Sequence, residues 1–280
     1  MGRGPSCRGL LFHKGSSIEG QFLRKDLACS GLRPTNISME KVSTFLASMQ
    51  EKAAVIIVAA GSSRRMQGRD KLWLPLAGRV TLAHTLAVFQ RSPLIDSIIL
   101  VVNAQRIDDA RSLSKHEDCT KIAAIVAGGA RRQDSVRIGL DTLAQKNPAC
   151  RWVMIHDGAR PFITEELLET GLQAVQEHQA VVAAVPVKDT IKQVQNGRIS
   201  ATLDRAHLWT VQTPQIFSFP LIQQAHASPL AQEDVTDDAT LLERMGHHVA
   251  IFPGSYTNIK ITTQEDLFFA EALLQGYLEK

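Results

Sequence analysis

Residues 53–66 read AAVIIVAAGSSRRM, an unbroken run of small and β-branched apolar residues that ends abruptly in glycine, serine and arginine. Eight apolar residues without a polar interruption fit a strand buried on both faces, as at the centre of a parallel sheet. The strand runs straight into a loop in which Gly61 can adopt a positive φ and lets a ligand approach the backbone. Ser62 and Ser63 leave amides and hydroxyls free to face phosphate oxygens. Arg64, Arg65 and Lys71 add positive charge beside that loop. The loop lacks both the G-K-[ST] ending of a Walker A loop and the spacing of G-x-G-x-x-G. Taken alone, it leaves open both a phosphate cradle and an ordinary turn with solvated arginines.

Outward from this strand the pattern alternates. Ser97–Asn103, Lys121–Ala127, Trp152–Asp157 and Ala180–Val187 read as further buried strands. Between them Thr81–Gln90, Arg131–Leu143 and Glu165–Glu177 read as helices. Val136, Leu140 and Leu143 share one helical face, as do Leu168, Leu172 and Val175. Such β/α alternation predicts a mostly parallel sheet covered on both sides, with ligands bound beyond the carboxyl ends of its strands. After Val187 the rhythm changes. Lys188–Gln212, with Asn196-Gly197 near its middle, predicts a β-hairpin excursion from the main sheet.

Bulk properties agree. Apolar residues make up 44% of the 280 and aromatics only 5%, so the core is expected to consist of Val, Ile, Leu and Ala. A net charge of +3 argues against a general nucleic-acid binder and leaves room for a local anion site. The four cysteines form no C-x-x-C pair, which suggests neither zinc nor a disulfide framework and fits a reducing cytoplasm. No apolar run approaches a membrane span. Residues 1–52 are basic and lack a sustained period. They read as a disordered N-terminal extension, or as a start set upstream of Met39 or Met49, with a plastid import sequence as the other reading. Residues 53–280 then form one domain, with the arm at about 187–209.

Two further loops carry chemistry. AGGARRQDS (127–135) places Gly128 and Gly129 for close backbone approach and Ser135 at the start of a helix. VMIHDGARPFIT (153–164) ends a strand in Asp157, where one carboxylate plus phosphate oxygens commonly holds Mg²⁺. Arg160 is suited to a bidentate phosphate contact, and Gly158 leaves room for a sugar. His156 reads as a strand residue, not as a ligand.

AAGSSRRM (59–66), AGGARRQDSV (127–136), HDGARPF (156–162), LDRAHLWTVQTPQIF (203–217) and YTNIKIT (256–262) resemble, in order, the signature blocks of the 2-C-methyl-D-erythritol 4-phosphate cytidylyltransferases. The likeness runs over about residues 53–275. Ribitol-5-phosphate cytidylyltransferases are similar over the same blocks. The resemblance implies a Rossmann-like α/β nucleotidyltransferase fold, related to the glycosyltransferase-A type, with a β-hairpin arm. It implies CTP contacts from Ala59, Ala60, Gly61, Gly129, Ala130, Ser135 and Gly158. Arg65, Lys71 and Lys260 are then the catalytic cations, and Asp157 is the Mg²⁺ ligand. Arg160, Thr190, Arg205 and Thr213 receive the sugar-alcohol phosphate. A homodimer is implied too, its arms reaching into the partner's site.

The chain departs from the family pattern in three places. It reads RDKLW around Lys71, has Ala130 where an acid often follows the glycines, and has Thr257 where an acid is common before Asn-Ile-Lys. A glycosyltransferase would want a second acid after Asp157, and Gly158-Ala159 does not supply one. A non-catalytic nucleotide-binding protein is the remaining reading; the joint presence of Arg65, Lys71, Asp157 and Lys260 argues against it.

Overall fold

A computed structural model describes residues 52–61 and 70–278. The expectations for the extension up to residue 51, and for Ser62, Ser63, Arg64 and Arg65, lie outside the described residues.

The chain opens with β1 (Ala53–Ala59) and a two-stranded ribbon, β2 (Pro75–Leu76) and β3 (Arg79–Val80). It then alternates: α1 (Thr81–Arg91), β4 (Ile95–Val102), α2 (Ile107–His116), β5 (Ile122–Ala127), α3 (Arg132–Lys146), β6 (Trp152–Asp157), α4 (Glu165–His178) and β7 (Ala180–Pro186). The arm follows as β8 (Lys192–Gln195) and β9 (Arg198–Thr202). The chain ends with β10 (Trp209–Ser218), α5 (Phe219–Ala227), α6 (Ala239–Arg244), β11 (Ala250–Pro253) and α7 (Gln264–Leu278). No helix among the described residues is long and apolar enough to cross a membrane.

Seven strands form one sheet in the order β11-β7-β10-β6-β1-β4-β5. All neighbours are parallel except β10, which runs antiparallel between β6 and β7. From β1 the chain builds outward to β4 and β5, then returns to β6 on the other side. The crevice beyond the carboxyl ends of β1 and β6 is therefore the topological switch point, where such sheets bind ligands.

The period of two in β1 decides which helices cover which face. Ala53, Val55, Ile57 and Ala59 share one core cluster with Leu82, Leu86 and Phe89 of α1 and Leu168 and Leu172 of α4. Ala54 and Ile56 meet Val136, Leu140 and Leu143 of α3 and Ile222 of α5. Ile56 and Ile57 are completely buried, and each such side chain contributes about 2–3 kcal/mol relative to exposure. Local signals agree with this packing. Thr164 Oγ1 accepts from the Leu167 N–H at 3.2 Å and so caps α4, whose first turn carries Glu165 and Glu166.

Two expectations need correction. β5 is an edge strand and only partly buried, although its sequence reads as apolar as that of β1. The excursion after Val187 is also shorter than Lys188–Gln212. Trp209–Val211 already pair with Pro186–Ala184 of β7 as the start of β10. Their side chains are exposed there, so the segment reads as arm although its backbone belongs to the main sheet. The turn itself is as expected: Asn196 and Gly197 have φ of 51° and 75°, the paired positive values of a tight hairpin turn.

Candidate active site

The loops after β1, β5 and β6 converge on a cavity of about 660 Å³. Ala59, Ala60 and Gly61 form one wall, and Gly129, Ala130 and Ser135 the facing one. The two loops touch directly. A Cβ on Gly128 would lie 2.3 Å from the Ala60 Cβ and 2.7 Å from Ser135 Oγ, so only glycine lets the walls close. Gly61 differs from expectation. Its φ lies outside the left-handed region, and a Cβ there would meet open space, so its contribution is room at the backbone.

The N-terminus of α3 is locked from within. Asp134 accepts from the Arg131 N–H at 3.1 Å and from the Arg131 guanidinium at 2.8 Å, while Ser135 Oγ accepts from the Gly129 N–H at 3.1 Å. The Ser135 hydroxyl thus braces the glycine loop it borders.

At the head of β6 the Asp157 carboxylate faces three cations. Lys260 Nζ lies 2.7 Å from Oδ2, Arg132 Nε 3.3 Å from Oδ1, and Arg160 Nε 3.7 Å from Oδ2. Burial alone would raise the Asp157 pKa; Arg132, Lys260 and Arg160 outweigh it and hold the carboxyl far below the usual range. Arg132 is bound a second time, its Nη1 donating to the fully buried Asp238 at 2.7 Å. Lys260 arrives on the loop between β11 and α7. That loop is pinned by the Ile261 N–H donating to Ala159 O at 2.9 Å and by Asn258 Nδ2 donating to Thr213 O at 2.8 Å.

A second cavity of about 420 Å³ lies on the β10 side of this cluster, lined by Arg160, Thr213, Gln215 and Thr236 among others. Arg132, Asp157 and Lys260 line both cavities. The two spaces therefore meet across one carboxylate and its cations.

Beneath the site lies His156, completely buried and packed edge-on against Phe89. Its Nε2 meets Arg160 O at 3.2 Å, so that nitrogen carries the proton. Nδ1 then accepts from Thr213 Oγ1 at 3.1 Å, and Thr213 Oγ1 accepts from the Asp157 N–H at 3.1 Å. Burial lowers the imidazole pKa to about 4. His156 is thus a structural strand residue that holds the backbone of Asp157, in keeping with its reading from sequence.

Most of the residues singled out from sequence meet here. Ala59, Ala60, Gly61, Lys71, Gly129, Ala130, Ser135, Asp157 and Lys260 line the larger cavity, and Arg160 and Thr213 line the smaller. Gly158 does not line either. Its N–H donates to Val58 O and its carbonyl accepts from Thr85 Oγ1, both at 2.9 Å, which ties β6 to β1 and α1. Thr190 and Arg205 are exposed on the arm, away from both cavities; Arg205 Nη1 donates to Lys188 O. Arg65 lies outside the described residues. Sequence reasoning missed Arg132, Asp238 and Gln215. The only trace of Arg132 in the sequence is its place in AGGARRQDS, at the start of a helix.

The family model for 2-C-methyl-D-erythritol 4-phosphate cytidylyltransferase (IspD) matches residues 53–276. A protein of that name from Dehalococcoides mccartyi is 47% identical over 228 residues, covering 81% of this chain and 98% of the relative. Another, from Halalkalibacterium halodurans, is 45% identical over 79% of this chain and 96% of its own length. Among solved structures, the 4-diphosphocytidyl-2C-methyl-D-erythritol synthase of Anaerococcus prevotii superposes with a TM-score of 0.72 at 35% identity, covering 81% of this chain and 97% of that one. The cytidylyltransferase of Thermus thermophilus gives 0.67 at 31% identity, over 80% of this chain and 99% of that one. With a crevice at the switch point, the Asp157 carboxylate set among cations, and these matches along residues 53–276, the chain belongs to the 2-C-methyl-D-erythritol 4-phosphate cytidylyltransferase family.

Proposed function

We propose that this chain transfers the cytidylyl group of CTP to 2-C-methyl-D-erythritol 4-phosphate, giving 4-diphosphocytidyl-2-C-methyl-D-erythritol and pyrophosphate, at the seam between the two cavities. The observation that carries the site assignment is the sharing of Arg132, Asp157 and Lys260 by both spaces. CTP occupies the larger, against Ala59, Ala60, Gly61, Gly129, Ala130 and Ser135, with Gly158 supporting that wall from behind. The acceptor phosphate occupies the smaller, near Arg160 and Thr213.

The reaction brings a phosphomonoester dianion onto the α-phosphorus of a nucleotide already carrying four negative charges. Two unit charges about 4 Å apart repel by about 4 kcal/mol at an effective dielectric constant of about 20. Fixed cations at similar distances are needed to offset several such terms, and Lys71, Arg132 and Lys260 are placed to do so. Arg65 belongs with them by family resemblance. An acceptor phosphate oxygen attacks the α-phosphorus, and the bond from that phosphorus to the oxygen bridging to the β-phosphate breaks. The electron pair leaves with pyrophosphate. The attacking oxygen is ionised near neutral pH, so no general base is required, and the buried His156 offers none. In-line positioning and charge stabilisation then carry the rate.

Asp157 fits a metal-binding role as an ionised carboxylate at the cavity edge. Among the described residues no three His, Cys, Asp or Glu side chains gather to hold an ion by themselves, so nucleotide oxygens would have to complete the shell of a Mg²⁺ ion. When bound, that ion supplies neutralising charge at the triphosphate.

The arm supports a homodimer reading. Val194, Ile199 and Trp209 expose large apolar surface there, and a lone two-stranded hairpin is marginal in water. Thr190 and Arg205 of one copy then complete the acceptor cavity of the other. The compartment expected is the cytoplasm.

Pyrophosphate release from CTP with 2-C-methyl-D-erythritol 4-phosphate, against CTP with ribitol 5-phosphate, tests the assignment. Turnover with the first alone is expected. Preference for ribitol 5-phosphate would overturn the acceptor, and release with neither would overturn the reaction.

A further inference from the structure

Behind the cations at the seam runs a buried polar chain that the mechanism above does not use. Asp238, just before α6, is completely buried, as is the side chain of His226 on α5 but for a trace. Asp238 Oδ2 accepts from Arg132 Nη1 at 2.7 Å, and Asp238 Oδ1 lies 3.1 Å from His226 Nε2. A carboxylate offers only acceptors, so His226 Nε2 carries the proton and donates it to that bond. The Asp238 N–H donates to Gln215 Oε1 at 3.2 Å, and Gln215 Nε2 donates to Asp237 Oδ2 at 2.8 Å. Four elements, α3, α5, α6 and β10, are thereby tied to one guanidinium.

That guanidinium is the one whose Nε faces Asp157 at 3.3 Å. Its fork is rigid and planar, so fixing Nη1 against Asp238 and Nε against Asp157 fixes the plane of all five donors. The N–H groups left over point from a set position at the seam the two cavities share. A buried acid with nothing to orient would be a costly feature, because leaving water costs a carboxylate several kcal/mol before its partners repay it. Here the arrangement holds an arginine between two anionic ligands.

We infer that His226 and Asp238 are positioning residues for the transfer reaction, holding the Arg132 guanidinium at the seam so that its free N–H groups meet the phosphates as charge shifts toward pyrophosphate. Arg132 is the group that touches substrate. Asp238 sets its plane, and His226 keeps the Asp238 carboxylate in one rotamer by occupying its second oxygen. The inference rests on the cytidylyltransferase reading of the site.

The role separates from simple packing because a misplaced cation costs most in the transition state and little in ground-state binding. His226→Leu keeps bulk and removes the donor, whereas His226→Gln offers an amide N–H in its place. In pyrophosphate-release kinetics with CTP and 2-C-methyl-D-erythritol 4-phosphate, His226→Leu should lower kcat by about 10-fold with KM for CTP changed less than about 2-fold. His226→Gln should recover most of that loss. Asp238→Asn should lower kcat further, by about 100-fold. If Asp238→Asn does not fold, the His226 pair still decides the question. Equal kcat in His226→Leu and wild type overturns the relay. So do equal losses in His226→Leu and His226→Gln that track their melting temperatures. Wild-type enzyme without turnover would overturn the functional reading first, and the relay with it.

Discussion

The ligand end of the central sheet and the β8–β9 arm lie in one chain but are built on opposite terms. At the heads of β1 and β6 Ala59, His156 and Asp157 are buried, and Asp157 meets cations supplied from other parts of the sequence: Arg132 from α3 and Lys260 from the loop before α7. On the arm every residue of β8 is exposed, and Ile199 of β9 keeps 65% of its surface in water. Its root is tied down. The Val187 N–H donates to Leu208 O, Tyr256 Oη donates to Pro186 O, and Lys188 Nζ sits 3.5 Å above the Tyr256 ring. The difference teaches that burial and ion pairing hold the cavity side chains in place, whereas the arm carries exposed apolar side chains at Val194 and Ile199, which the proposed homodimer would give a partner surface.

The largest expected effect lies at the sheet end. Lys260→Ala removes a cation from the shared seam and should cost about 10²–10³-fold in kcat, the range for losing one preorganised charge-stabilising group. Asp157 keeps Arg132 and Arg160 when Lys260 is removed, so the variant is expected to fold. Steady-state kinetics beside thermal melts check this; a change confined to KM would mean that Lys260 binds ground state and transition state alike.

A smaller effect concerns the floor of the same site. Burial holds His156 near 4, against an ordinary value of 6.5. The unfolded chain takes up that proton near pH 6.5, whereas the folded chain refuses it until about pH 4. Stability from this group is therefore fully present above the unfolded value and is lost as the pH falls through that window, by up to about 3 kcal/mol. Denaturant unfolding of wild type and His156→Gln at pH 7 and 4.5 isolates the contribution. His84, lowered in the same direction by its own burial, is common to both proteins and cancels. Parallel pH dependence in the two would remove His156 from the account.

The smallest signal tests the arm. Lys260→Ala and Arg205→Ala protomers, each nearly inactive alone, are mixed with subunit exchange confirmed. If Arg205 acts across a two-fold interface, half the dimers are mixed and half their sites are intact, so about a quarter of wild-type activity returns. Activity staying at the level of the parents would place Arg205 within its own chain's site and end the contrast between the two regions.

Much of the sheet end was legible because its signals are local. VIIVAA running into glycine marks a buried strand and its ligand loop, and Gly128 is read correctly as a close-approach position by its lack of a side chain alone. Asp157 could be placed at the cavity edge because a strand's last residue lies at the sheet's carboxyl edge whatever its neighbours. Gly158 could not be judged in this way. It lies one residue further on, yet its backbone is spent on Val58 and Thr85, a pairing across 73 residues in the second case. Arg132 was hidden for the same reason, since a first-turn arginine looks solvated until its partners are known.

By itself the sequence determined the alternation of strands and helices from β1 to β7, the apolar faces of α3 and α4, the turn at Asn196-Gly197, and the ordered blocks that mark the family. These depend on periods of two or 3.6 residues and on residues with unusual backbone freedom, all of which act within a few positions along the chain. Only the tertiary structure decided that β10 runs antiparallel between β6 and β7, because a doubly covered strand reads the same in either direction. It alone decided that Asp238, 106 residues from Arg132, would be the buried acid that holds the arginine. An ion pair of that kind is made by packing elements that carry no local mark of each other, and its charges are affordable in the interior only once those elements have closed around them.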